Sequence, residues 1–216
     1  MKLNHPYCDY VSKLNDENDV DKIYHDNHYG VRIEDDNELF GRLIMEINQA
    51  GLSWRTILMK ESGFRKAYNN FNIKKVAKYS EKDFLRLMND EKIIRNKLKI
   101  NAAIYNAQEI IKIQKEFGSF RKWLDIKDKE IQSSICVIPT KVGIQFRTLA
   151  FRILDPRIRE DDNTKDNRDE IKNMWLKLFK KHFKFVGGEI VGEFLLSLDI
   201  LSGNHDKNCI VKKKNK

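Results

Sequence analysis

Along most of the chain, apolar residues recur at spacings of three and four, the period of helices buried along one side. Leu39, Phe40, Leu43, Ile44 and Ile47 share one such face. Asp35, with Glu38 three residues on, reads as a capping-box-like start, and Gly51 supplies a stop. Ser53 can cap the next helix, whose apolar positions are Ile57, Leu58, Phe64, Ala67 and Tyr68. A short helical piece over 73–77 follows, and then Ser80 and Asp83 make a second cap signal before Phe84, Leu87 and Met88. The turn Asn89-Asp90-Glu91-Lys92 leads into a long helix expected over 93–117, with Ile100, Ile104, Ala107 and Ile111 in its buried stripe and Gly118 at its end. Ser119 starts a further short helix carrying Phe120, Trp123 and Leu124. The pattern resumes with Trp175, Leu178 and Phe179, turns at 183–188, and ends in a helix with Ile190, Val191, Phe194, Leu195 and Leu198. Short helices joined by tight turns predict an all-α globule.

The segment 133–162 breaks this pattern. Its periodicity disappears, it holds Pro139 and Pro156, and Arg147, Arg152, Arg157 and Arg159 crowd together where lysine dominates elsewhere. The runs Ile138-Pro139-Thr140-Lys141-Val142-Gly143-Ile144-Gln145 and Leu154-Asp155-Pro156-Arg157-Ile158-Arg159 resemble the translation of a palindromic repeat element found inside bacterial genes. The expectation is an exposed, flexible in-frame insertion between 1–132 and 163–211, which together form one domain, with 212–216 a basic tail. An Arg-rich nucleic-acid arm is the competing reading.

The chain has 216 residues, enough for one sizeable core, and a formal net charge of +9. That excess favours an anionic partner, nucleic acid first, although a solvated basic surface gives the same total. No apolar run approaches the roughly 18 residues of a membrane span, and the N-terminal residues lack the apolar core of a signal peptide. Three cysteines, Cys8, Cys136 and Cys209, form no even disulfide set, so a reducing cytoplasm is expected.

Cys8 and His25 near the start, with His205 and Cys209 near the end, would make a closed tetrahedral zinc set of two thiolates and two imidazoles. Their residue types suit a structural site and would tie the two ends of the chain together. A surface histidine and a core cysteine are the plainer reading of each residue alone, and His5, His28 and His182 compete for the role. A second cluster lies at Glu46-Ile47-Asn48-Gln49-Ala50-Gly51-Leu52-Ser53-Trp54. A carboxylate, a glycine break and an indole there could line a pocket for a planar polar ligand, or could be a solvated glutamate and a packed tryptophan at a helix end.

Several segments together resemble the DNA-3-methyladenine glycosylase I family. They are Tyr24-His25-Asp26-Asn27-His28-Tyr29-Gly30, then Glu46 with Gln49-Ala50-Gly51-Leu52-Ser53-Trp54, then 93–100, then Phe183-Lys184-Phe185-Val186-Gly187, and finally His205 with Cys209. The resemblance implies a helix-hairpin-helix repair glycosylase that flips 3-methyladenine from double-stranded DNA and hydrolyses its N-glycosidic bond. It further implies a structural zinc on Cys8, His25, His205 and Cys209, the gap between the first two being longer than usual. It matches Glu46 to the family's base-reading carboxylate, the catalytic candidate though not as a water-activating base. Tyr24 and Trp54 match the stacking aromatics, and Tyr29 stands where the family has a pocket tryptophan. Asp21 stands where some members have a further pocket tyrosine and is not carried over.

In the same reading the corner Ala50-Gly51-Leu52 fills the gap left by the flipped base, with Gly51 and Leu52 against DNA, while Lys97 and Lys99 meet phosphates. Lys92 replaces a common hairpin glycine, and a positive φ there would cost about 1 kcal/mol. A monomer associated with the bacterial nucleoid is expected. A zinc-stapled lesion- or DNA-binding protein with weak or no excision is the alternative from another class.

Overall fold

Helix α3 (Asp36–Gln49) runs through the core, and every residue from Leu39 to Asn48 in it is buried. The Asp35 carboxylate starts it by accepting from the amides of Asn37 and Glu38 at 2.9 and 3.0 Å. Glu38 does not close the expected capping box. Its carboxylate instead accepts two bonds, 2.8 and 2.7 Å long, from Arg65. Such a bidentate pair outcompetes a return bond to one backbone amide.

A computed structural model describes residues 3–135, 139–140, 143–144, 160–209 and 211; for 139–140, 143–144 and 160–166 it describes the backbone alone. Before α3 come α1 (Pro6–Val11) and α2 (Val20–Asn27), which the apolar pattern left unassigned. After it come α4 (Trp54–Met59) and α5 (Glu61–Ala67), separated by Lys60, where one continuous helix was expected. Helices α6 (Ile73–Val76) and α7 (Glu81–Met88) follow, and Ser80 and Asp83 form the anticipated capping box on α7. Helix α8 (Lys97–Phe117) starts four residues later than expected, because Asn96 caps it by accepting from the amides of Leu98 and Lys99. Helix α9 (Phe120–Ile135) is longer than the short piece expected. Its C-terminal half, with Ile131 and Ile135 buried, enters the segment taken as an insertion.

Helices α10 (Glu160–His182) and α11 (Gly188–Ser197) follow. Residues 133–135 and 160–162, expected to belong to the insertion, are helical. Within it the described residues form a two-residue antiparallel ladder, β1 (Pro139–Thr140) with β2 (Gly143–Ile144), a small departure from an all-α chain. The other residues between Ile135 and Glu160, Cys136 and the arginines among them, lie outside the described residues, as does the tail 212–216.

Helices α9 and α10 meet across an aromatic cluster, with the rings of Trp123 and Trp175 6.2 Å apart and Phe179 and Phe183 packed beside them. The two helices that flank residues 136–159 therefore share one core. Helix α11 packs on α3, which sets the C-terminal helix beside the Glu46 turn. Among the described helices none is long and apolar enough to cross a membrane.

Candidate functional site

Glu46 sits on the last buried turn of α3 and is only 3% exposed. No hydrogen bond to its carboxylate is formed among the described residues. Burial pushes the carboxyl up to about 8, against the pull of Arg42, and Glu193 on α11 adds to the rise. Burial also raises the pKa of Glu193. A buried acid without a hydrogen-bond donor takes up a proton at neutral pH, and recovers its charge when a cation arrives beside it.

Tyr24 on α2 and Trp54 at the start of α4 meet edge-on, their ring centroids 5.1 Å apart and the planes at 60°. Ser53 positions the indole by accepting from the Thr56 amide, which caps α4. The Trp54 indole N–H is buried and has no hydrogen-bond partner among the described residues. Tyr29 lies 6.0 Å from Tyr24, and Tyr7 on α1 is 5.6 Å from Tyr29. The structure thus brings Tyr24, Tyr29 and Trp54 together in one aromatic cluster beside the Glu46 helix. Parallel aromatic faces need about 7 Å between them to sandwich a base, so these two rings must turn or part to admit one.

Three members of this site escaped sequence reasoning. Arg42 is buried one turn before Glu46, with its guanidinium 4.8 Å from the Tyr24 centroid and donating to the Tyr24 hydroxyl. Tyr7 donates to Asp21, whose carboxylate also accepts from Arg55 at 2.9 Å. Glu193 faces the same cluster from α11. The i, i+4 spacing of Arg42 and Glu46 was visible, but it reads as an ordinary solvated helix pair.

Beyond α3 the chain turns at Gly51, whose φ of +83° favours glycine and whose Cβ position faces open space. Leu52, next to it, is 42% exposed, so the corner projects from the surface. The hairpin of α7 and α8 lies nearby. Lys97 is exposed on its second helix, as are Lys92 and Arg95 in the turn. Lys99, expected among the phosphate contacts, is instead buried at 4% exposure. Its ammonium donates to the carbonyls of Asn48 at 2.9 Å and Ala50 at 2.8 Å, and burial lowers its pKa. It is therefore unavailable to phosphate. Lys92, in place of the common hairpin glycine, does not have a positive φ. The Asp90 carboxylate accepts from its amide at 2.9 Å and shapes the turn with an ordinary backbone, so no left-handed penalty arises.

The two ends of the chain converge on Cys8, His25, His205 and Cys209, all buried, with their ligand atoms within 4.8 Å of one another. The sulfur–nitrogen separations are 3.3 Å for Cys8–His25, 3.6 Å for Cys8–His205, and 3.7 Å from Cys209 to each histidine. Thiolate and imidazole ligands on one tetrahedral zinc stand about 3.6 Å apart, from bonds near 2.3 and 2.05 Å. The outer bonds fix which nitrogen faces inward. His25 holds Asp26 through Nδ1 at 2.7 Å, and His205 donates through Nε2 to the Tyr29 carbonyl at 3.0 Å. Each ring thereby turns its other nitrogen toward the two sulfurs, as a metal-binding imidazole would. Burial pushes the Cys8 thiol up to about 12, so a cation is needed to hold thiolates there. The competing histidines His5, His28 and His182 are not in this cluster.

A sequence model described as methyladenine glycosylase matches residues 14–212. The chain belongs to the methyladenine glycosylase family. Among curated methyladenine glycosylases, DNA-3-methyladenine glycosylase 1 of Escherichia coli (strain K12) is 41% identical over 97 residues, 45% of this chain and 52% of that protein. The DNA-3-methyladenine glycosylase of Haemophilus influenzae is 32% identical over 127 residues, 56% of this chain and 68% of the relative. The matched stretches thus span about half and two thirds of those relatives. Similarity of fold extends further. A crystal structure of a 3-methyladenine DNA glycosylase I variant in complex with 3-methyladenine matches with a TM-score of 0.65 at 29% identity, covering 94% of this chain and 96% of that one.

Proposed function

We propose that this protein is a DNA glycosylase that hydrolyses the N-glycosidic bond of 3-methyladenine in alkylated double-stranded DNA. The observation that carries the reading is the buried Glu46 carboxyl close to Tyr24, whose ring meets Trp54 edge-on, on the helix that runs into the exposed Gly51–Leu52 corner. Support comes also from the family and from the relatives named for this activity.

Attached to deoxyribose, 3-methyladenine is a cation and a good leaving group. Extraction from the stack costs a few kcal/mol, less for a damaged base. Aromatic contact with Tyr24 and Trp54 returns about 1–3 kcal/mol each. Glu46, ionised by the incoming cation, accepts from the polar edge of the base and disfavours neutral adenine. The bond from the base nitrogen to the sugar carbon breaks with its electron pair going to the base, which leaves neutral. Water adds hydroxide to that carbon and releases its proton to solvent. Leu52 occupies the vacated stack, while Lys97 and the hairpin amides hold phosphates in a helix-hairpin-helix grip.

Cys8, His25, His205 and Cys209 are assigned as ligands of one structural zinc, a closed set with no position for substrate. Residues 1–132 and 163–211 form one catalytic domain in this reading, with the intervening segment inserted between α9 and α10. The protein acts as a monomer in the bacterial cytoplasm, on the nucleoid.

The decisive measurement is release of 3-methyladenine from methylated duplex by the purified protein, with Glu46→Gln and Trp54→Ala alongside. Wild-type release with about a hundredfold loss in both variants is expected. Normal release by both variants would refute the site. The closed Tyr24–Trp54 contact favours a second reading, lesion binding without excision, and lesion-selective binding with no base release would establish that instead.

A further inference from the structure

Lys99 is rooted in the hairpin and ends at the pocket. Its backbone amide is one of the two that the Asn96 side chain accepts, so its main chain belongs to the cap that starts α8. Its side chain then crosses to α3 and donates to the Asn48 and Ala50 carbonyls. Those are among the last carbonyls of α3, which no later turn of that helix can satisfy. The Gln49 carbonyl, between them, takes the Leu52 amide. The ammonium lies 5.8 Å from the Phe185 ring centroid, so its wall on that side is aromatic. A cation at a helix C-terminus is favourable, and removing it leaves shielded carbonyls without donors.

The corner that Lys99 closes lies between the two walls of the lesion site. Glu46 is two residues before Asn48, and Trp54 is four residues after Ala50. We propose that Lys99 is a positioning residue which fixes the base pocket and the Gly51–Leu52 corner to the phosphate-gripping hairpin, so that binding the backbone places the pocket against the flipped nucleotide. It touches neither base nor phosphate, and this role rests on the glycosylase reading. The tether explains why a cation in a phosphate-facing hairpin is turned inward while Lys97, two residues earlier, faces solvent.

The test compares Lys99→Met, which keeps the aliphatic stem, with Lys99→Arg and Lys97→Met on methylated duplex. Lys99→Met is expected to lose about a hundredfold in single-turnover release at saturating protein, the scale of a 1 Å misplacement. Its DNA affinity and salt dependence should stay at wild-type values, and Lys99→Arg should recover most of the rate. Lys97→Met should instead lose affinity and about one unit of salt slope. The proposal is overturned if Lys99→Met keeps the wild-type rate or loses affinity and salt slope as Lys97→Met does. In folded wild type, the nitrogen-15 resonance of the Lys99 ammonium should be protected from exchange and unmoved by DNA. An ammonium exchanging as fast as those of surface lysines, or shifting with DNA, would overturn the contact even if Lys99→Met fails to fold. If the wild type releases no base, the glycosylase reading fails, and this resonance still decides whether the tether exists.

Discussion

Glu46 carries the most consequential pKa in the molecule. A carboxyl at about 8 when folded and at the ordinary glutamate value when unfolded binds its proton more tightly in the folded chain. Stability therefore falls as pH rises between those values, by at most about 1.4 kcal/mol per pH unit, and levels off above the folded pKa. Urea unfolding at several pH values should show that decline in wild type and its loss in Glu46→Gln. Equal slopes in the two proteins would place the titration elsewhere. In the proposed mechanism recognition has the opposite dependence, because there the carboxylate holds a cationic base. The kcat/KM for excision should rise as pH approaches 8, with Glu46→Gln flat over that range.

At this scale the sequence showed Glu46, Tyr24, Tyr29 and Trp54, through their joint resemblance to a family. Arg42 and Glu193 were illegible for a physical reason. A charge at the edge of an amphipathic stripe looks solvated until the packing of a second helix buries it. Lys99 was misread for the same reason, since its stem can snorkel to solvent or turn inward with no change in the local pattern.

Between elements, the hairpin depends on a close approach at Gly63. A Cβ there would lie 2.5 Å from the Lys92 carbonyl oxygen and 2.8 Å from the Lys92 Cβ, so α5 or the hairpin must move to admit it. Gly63→Ala should lower stability by about 1–3 kcal/mol in urea unfolding and weaken DNA binding through the displaced turn. A neutral outcome would show that the hairpin yields freely. Lys60 adds a second link by donating to the Glu91 carbonyl at 2.8 Å. Its place at the break between α4 and α5 was not visible beforehand, because the apolar period runs on through both helices. The caps were visible at Ser53 and Ser80, where a short polar side chain precedes a periodic run. At Asn96 the apolar Ile93 and Ile94 hid the true start of α8, although Asn96 is itself a strong capping residue.

Across the whole molecule, the Cys8–His25–His205–Cys209 cluster joins the two ends, which the Asn4 amide also ties by donating to the Asp206 carboxylate at 2.7 Å. Stripping metal with a strong chelator, or replacing Cys209 with Ala, should remove about one zinc per chain and lower the melting temperature. Proteolysis of the stripped protein should begin at the ends, near α1 and 203–209. A metal-free wild type with unchanged melting would refute the assignment. The ligand types were legible in the sequence, whereas their convergence required the packing of α1 and α2 against the segment after α11. The same arrangement constrains synthesis. Cys8 and His205 are 197 positions apart, so a chain made from its N-terminus exposes the first two ligands long before the last two exist. In the zinc reading closure awaits Cys209, so a chain truncated before that residue would lack a ligand and could not complete the site.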